Sequence, residues 1–269
     1  MPTEPAGDRI RRIAAGLRAA VEVEEAFGLE ELVLPARTRA PLEPPVARAP
    51  EAPEAPPPEP IPEPVLEPAL EQRAEPPPEF PPISELASLD DLAGVVAECR
   101  KCHLHSTRTR TVPGAGAADA DLMVVGEAPG ADEDRQGIPF VGKAGQLLTK
   151  MLEAIDLPRD RVFICNTLKC RPPGNRTPRP PEIAACLPYL LRQIELVKPK
   201  VILALGTPAA RTLLDTREGI TRLRGRIFPR HGARCVPSFH PAYLLRNPAA
   251  KRESWTDLKL VKKLLAEGT

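Results

Sequence analysis

The apolar positions of this chain fall into short blocks separated by polar, glycine-rich or proline-rich connections. Segments 120–125 (ADLMVV), 161–166 (RVFICN), 201–205 (VILAL) and 234–238 (RCVPS) are compact apolar runs, which predict buried strands. Between and around them, apolar residues at helical spacing predict helices over 86–98, 145–155, 180–197, 209–215 and 255–266. Strands alternating with helices of this length imply an α/β layered domain with a parallel sheet. Ligands of such sheets bind outside the carboxyl ends of the strands. Gly126, Asn166, Gly206 and His240 all stand there, so four loops converge on one candidate site.

The pattern fails upstream. Segment 41–82 is almost entirely Pro, Glu and Ala, with too little apolar bulk to offset the entropy of ordering. The expected layout is a short amphipathic helix within 1–34, a disordered Pro-rich linker over 35–82, and one folded domain over 83–269. Ile10, Ile13, Leu17 and Val21 lie at helical spacing behind Asp8, a plausible N-cap. That helix is either marginal on its own or a docking element for a protein partner. On an extended linker at ~3 Å per residue it could reach well over 100 Å.

Charge sharpens the division. Residues 1–82 carry 16 acidic against 8 basic side chains, and the remainder 29 basic against 20 acidic, a net of +9. A basic domain beside an acidic tail is one form a nucleic-acid binder takes. No apolar run is long enough to span a membrane, and no signal peptide precedes the domain. The expected setting is cytoplasmic, with nucleoid association through DNA, and a monomer is expected.

In a cytosolic chain, six cysteines read as metal ligands before disulfides. Cys99 and Cys102 form C-x-x-C, and Cys170 and Cys186 follow far downstream. This spacing does not match a zinc finger, and four thiolates can equally hold a [4Fe–4S] cluster. Cys165 and Cys235 sit inside strand-like runs and read as core residues.

Between the cysteine pairs lies GEAPGADEDRQGIPFVGKAGQLL (126–148), a turn dense in carboxylates. Such groups can position a water or stabilise a developing cation. GKAG lacks the residues and spacing of a P-loop, which removes nucleotide hydrolysis. Phe140, in a chain with 3% aromatics, is either core or a stacking platform for a base. Asn166 offers a donor and an acceptor, as the edge of a base requires. His240, in HPAYLLRNP, can donate to a developing oxyanion, and the following YLLR reads as a loop exposing an apolar wedge.

These motifs together resemble the family 4 uracil-DNA glycosylases, the iron–sulfur branch of that superfamily. The matching segments are 126–148, NTLKCRPPGNRTPRPPEIAAC, ILALGTPAARTLL and HPAYLLRNP, and with the C-x-x-C they span about residues 95–265. The resemblance implies a three-layer α/β/α sandwich around a four-stranded parallel sheet. It implies a structural [4Fe–4S] cluster on Cys99, Cys102, Cys170 and Cys186. The activity implied is hydrolysis of the N-glycosidic bond of deoxyuridine in DNA, in base excision repair. Gly126, Glu127 and Ala128 would line the uracil pocket, Phe140 would stack on the base, Asn166 would read its edge, and His240 would steady the leaving anion. Glu127 or Glu133 would support the sugar cation or position water. Leu244, Leu245 and Arg246 would fill the gap left by the flipped nucleotide, and Gly206 and Thr207 would meet a phosphate. A superfamily branch that links covalently to uracil-DNA uses a histidine-bearing insertion, which the 170–186 segment lacks. The alternative is a non-catalytic iron–sulfur DNA-binding or scaffold protein of the same fold.

Overall fold

The computed structural model describes residues 81–267; the expected N-terminal helix and nearly all of the expected linker lie outside them. Six strands form one sheet in the spatial order β1-β3-β2-β4-β6-β5. They are β1 (Ala115–Gly116), β2 (Leu122–Gly126), β3 (Phe163–Asn166), β4 (Val201–Leu205), β5 (Phe228–Arg230) and β6 (Ala233–Ser238). The four expected strands, β3, β2, β4 and β6, are adjacent and parallel. The sheet is mixed all the same, because β1 and β5 add short antiparallel edges. Neither edge has an apolar run to announce it. Pro229 is tolerated in β5 because an edge strand can do without one ladder N–H.

Eight helices accompany the sheet in the described residues: α1 (Leu89–Ala97), α2 (Ala131–Gln136), α3 (Lys143–Glu153), α4 (Pro180–Val197), α5 (Thr207–Leu214), α6 (Ile220–Leu223), α7 (Pro241–Arg246) and α8 (Lys251–Ala266). Local chemistry sets their starts. Ser88 and Asp91 cap α1 reciprocally. α4 opens on two prolines, which lack the N–H groups a first turn leaves unpaired, and Glu182 accepts the Arg179 N–H at 2.7 Å.

Side chains alternate across the strands. Leu122, Val124, Ile164, Leu203 and Val236 join Leu148, Met151 and Leu152 of α3 and Leu258 and Val261 of α8 in one core. Met123, Val125, Cys165, Ile202 and Cys235 join Leu190 and Ile194 of α4 and Leu213 of α5 in the other. Burial on both faces explains why β2 and β4 read as unbroken apolar runs. A third cluster gathers Leu92, Val95 and Val96 of α1 with Leu168, Cys170, Cys186 and Tyr189, and Cys99 and Cys102 pack against it.

Two segments read as loops are helical. α2 has no apolar periodicity; its cap and the buried Asp134, which accepts the Thr109 N–H at 3.0 Å, hold it in place. α7 converts the expected YLLR loop into a helix with His240 as its N-cap. That change decides which leucine meets solvent.

Candidate active site

The register sets Gly126 beside Asn166 and Leu205 beside Ser238, so the chain leaves all four parallel strands at one edge of the sheet. A cavity of about 550 Å³ opens there, and Glu127, Ala128, Glu133, Phe140, Asn166 and His240 all line it.

Phe140 is held in an unusual conformation, with φ of 53°, which non-glycine residues adopt only where the surroundings impose it. The restraints are visible. Glu133 Oε1 accepts the N–H groups of Val141 and Gly142 at 2.9 and 3.0 Å, and its Oε2 accepts that of Gly130 at 3.1 Å. Arg159 donates to the Pro139 carbonyl. Gly145 lets α3 close on this turn; a Cβ there would lie 1.9 Å from the Phe140 carbonyl oxygen. So fixed, the Phe140 ring stacks with His240 at a centroid distance of 5.6 Å.

Asn166 is only 1% exposed, and its Oδ1 has no hydrogen-bond partner. An orphaned buried acceptor costs on the order of 1–3 kcal/mol, so its persistence points to a ligand. Gly126 is what admits the amide to this spot. A Cβ there would lie 2.3 Å from Asn166 Oδ1 and 2.5 Å from Phe140 Cζ.

His240 accepts the Ala242 N–H on Nδ1 at 3.1 Å, which places the ring proton on Nε2. Burial, aided by the Arg246 charge, holds its pKa down to about 4. At neutral pH the ring is therefore an uncharged Nε2–H donor on the cavity wall. Burial also pushes the Glu127 carboxyl up from its ordinary range.

The geometry divides the two candidate carboxylates. Both oxygens of Glu133 are spent on backbone N–H groups, whereas no hydrogen bond occupies those of Glu127 among the described residues. It also corrects part of the expected DNA contacts. Leu244 is fully buried in the core between α3 and α8, so it cannot fill a gap in a duplex. Leu245 and Tyr243, 47% and 38% exposed, project instead, and Arg246 is exposed at the cavity rim. Gly206 does not line the cavity. It is buried with φ of 87°, and a Cβ there would meet His240 Cβ at 3.2 Å, so its task is to clear space for that histidine. Thr207, half-buried, opens α5.

A family model described as the uracil DNA glycosylase superfamily matches residues 113–259. A type-4 uracil-DNA glycosylase of Archaeoglobus fulgidus is 44% identical over 187 residues, covering 66% of this chain and 94% of that protein. One from Thermotoga maritima is 49% identical over 154 residues, 56% of this chain and 80% of the relative. One from Sulfurisphaera tokodaii is 42% identical over 186 residues, 66% and 84% respectively. The chain belongs to the type-4 uracil-DNA glycosylases. The Archaeoglobus and Sulfurisphaera relatives leave about a third of the chain uncovered, a stretch of the size of the acidic extension.

The four cysteines of the expected centre line one small, largely apolar cavity. They are free thiols, and among the described residues no group of three or more Cys, His, Asp or Glu is placed to hold a single metal ion. N–H groups donate to two of the sulfurs, Arg108 Nη1 to Cys170 Sγ and the Lys169 N–H to Cys186 Sγ, both at 3.3 Å, and the Tyr189 side chain hydrogen-bonds Cys99. Burial pushes the Cys186 thiol up to about 12, against the lowering effect of Lys169.

Sequence reasoning missed several contributors. Lys143, Arg176 and Tyr243 line the pocket. Arg176 is held by Glu182 through two hydrogen bonds of 2.5 and 3.0 Å. Its signal was the Arg-rich run between Cys170 and Cys186. Lys169 and Arg108 gave no periodicity or motif that would have singled them out.

Proposed function

We propose that this glycosylase excises uracil from DNA with Phe140, Asn166, His240 and Glu127 in distinct roles. The orphaned Oδ1 of Asn166 beside the Phe140 ring carries the reading. Uracil presents an N3–H donor next to the O4 acceptor, and an amide oxygen and amide N–H match that edge. Cytosine reverses both, and mismatching buried polar groups is the costly form of discrimination. Phe140 supplies the face on which the flipped base stacks, with Gly126 and Ala128 as close backbone walls.

The C1′–N1 bond breaks with its electron pair leaving on uracil. Negative charge then gathers on the base, where the neutral His240 Nε2–H donates to it without transferring a proton. Glu127, without a hydrogen-bonding partner and raised by burial, takes the proton of the water that adds to C1′. Glu133 acts as the brace of the Phe140 turn. Leu245, Tyr243 and Arg246 take the space vacated by the nucleotide, and Thr207 meets a phosphate at the start of α5.

Cys99, Cys102, Cys170 and Cys186 would hold a [4Fe–4S] cluster. Four thiols ringing a cavity, with N–H donors to two of them, suit a cluster whose irons stand apart better than they suit one ion. When bound it supplies a covalent staple between the C-x-x-C segment, the 170–179 loop on the pocket wall and α4. Among the described residues no helix is long and apolar enough to cross a membrane. The enzyme is read as a cytoplasmic monomer, with the N-terminal extension tethering a protein partner; a deletion of 1–82 that loses no pull-down partner ends that last idea.

The test is a labelled duplex with one uracil, treated with alkali after incubation. Strand breaks at uracil that disappear in Asn166→Ala and His240→Ala support these roles. No break with the parent enzyme would favour a non-catalytic DNA-binding protein.

A further inference from the structure

Lys169 is the one fully buried cation among the described residues, at 1% exposure. Its Nζ donates to the Asn166 carbonyl at 2.7 Å and to Gln193 Oε1 at 2.6 Å, and both acceptors are neutral. Burying an ammonium costs several kcal/mol unless an opposite charge compensates it. The three buried carboxylates are engaged elsewhere. Asp134 accepts from Thr109, Glu182 pairs with Arg176, and Asp257 with Arg224 and Ser238. Lys169 also hydrogen-bonds the buried Cys165 thiol, and it lines the cavity ringed by Cys99, Cys102, Cys170 and Cys186, where its charge acts on Cys186.

A second cation reaches the same place from another segment. Arg108 Nη1 donates to Cys170 Sγ at 3.3 Å and to the Cys99 carbonyl at 2.8 Å, and its Nη2 donates to the Ala97 carbonyl at 2.8 Å. One arginine thus touches two of the four cysteine positions. A core of iron and sulfide held by four thiolates carries net negative charge, and nearby charge and hydrogen bonds to the sulfurs govern its stability.

We infer that Lys169 and Arg108 are the counter-cations of the four-cysteine centre, and that Lys169 links that centre to Asn166. The inference rests on reading the cysteines as iron–sulfur ligands. The link is short. The Lys169 N–H donates to Cys186 Sγ while its Nζ holds the carbonyl of the base-reading residue. Leu168 and Thr167 donate to the carbonyls of Glu127 and Gly126, so the same five-residue run also positions the pocket wall. Lys169 is a positioning residue, distinct from the groups that touch uracil.

The test uses the full chain with its centre as purified. Iron and acid-labile sulfide are measured first, then the half-life of the absorbance near 400 nm in the presence of an iron chelator. Lys169→Met and Arg108→Gln should each shorten that half-life roughly 10-fold, the usual scale for losing an outer-shell partner of a metal site. Arg108→Lys, which keeps the charge, should stay near the parent. Lys169→Met should also lower kcat/KM for uracil excision, through Asn166. If Lys169→Met yields no folded protein, the Arg108 pair decides the matter, because Arg108 is only half-buried. Bleaching at the parent rate in Arg108→Gln, or equally fast in Arg108→Lys, overturns the inference. A parent chain without iron and sulfide would instead sink the cluster reading itself.

Discussion

Gly126→Ala isolates the geometry of the pocket with one methyl group. The backbone at Gly126 is not in the left-handed region, so alanine meets no intrinsic strain there. Its Cβ, however, would stand 2.3 Å from Asn166 Oδ1 and 2.5 Å from Phe140 Cζ. Relieving both contacts requires a displacement of about 1 Å of the amide, the ring or the strand end, since ordinary contact begins at 3.4 Å. Overpacking of this kind costs about 1–3 kcal/mol of stability. A misplacement of ~1 Å in a reacting constellation costs on the order of 10²-fold in rate, or roughly 2.7 kcal/mol of barrier. Single-turnover excision from a uracil-containing duplex reads the rate, and thermal melting with the absorbance near 400 nm reads the fold. The expected result is a rate about 10²-fold lower in a folded protein with its visible absorbance intact. Excision at the parent rate would refute the convergence of Asn166 and Phe140 on one spot.

Four further outcomes follow from the same geometry. Glu133→Gln should loosen the Phe140 turn and cost about 1–3 kcal/mol in melting experiments, while the acid limb of the pH–rate profile stays in place. Glu127→Gln should remove that limb: the rate needs Glu127 ionised, so it falls as pH drops through its raised pKa, whereas His240 stays neutral until about pH 4. If the limb survives Glu127→Gln and vanishes in Glu133→Gln, the two carboxylates have been assigned the wrong way round. Leu244→Ala should lower stability by about 2–5 kcal/mol through a core cavity, and Leu245→Ala should leave stability within ~0.5 kcal/mol while slowing excision from duplex DNA. The opposite pattern in melting and duplex-excision measurements would return the wedge to Leu244.

Strands β2 and β4 were legible because both faces are buried, which writes an unbroken apolar run into the sequence, and β3 and β6 were legible from shorter apolar runs interrupted by a polar residue. Helix α4 was legible to the residue because its prolines and final valine mark both ends. The strand ends single out Gly126, Asn166 and His240. α7 was not legible, since six residues are too few to show a period and its cap is a histidine rather than a serine or aspartate. With it went the burial of Leu244. The work of Glu133 was hidden for another reason: its partners are backbone N–H groups up to nine residues away, which no side-chain motif records. Lys169 was hidden by its neighbours, because a lysine between a strand and a cysteine looks like surface until the fold closes over it.

The central claim is that uracil is held and cleaved between Phe140, Asn166 and His240. Its most direct measurement is the single-turnover excision rate of His240→Ala on a labelled uracil duplex, with melting temperature and absorbance near 400 nm recorded on the same sample. Loss of a donor aimed at developing charge should lower that rate by about 10²–10³-fold while both controls match the parent. A parent-like rate in the folded variant would contradict the claim.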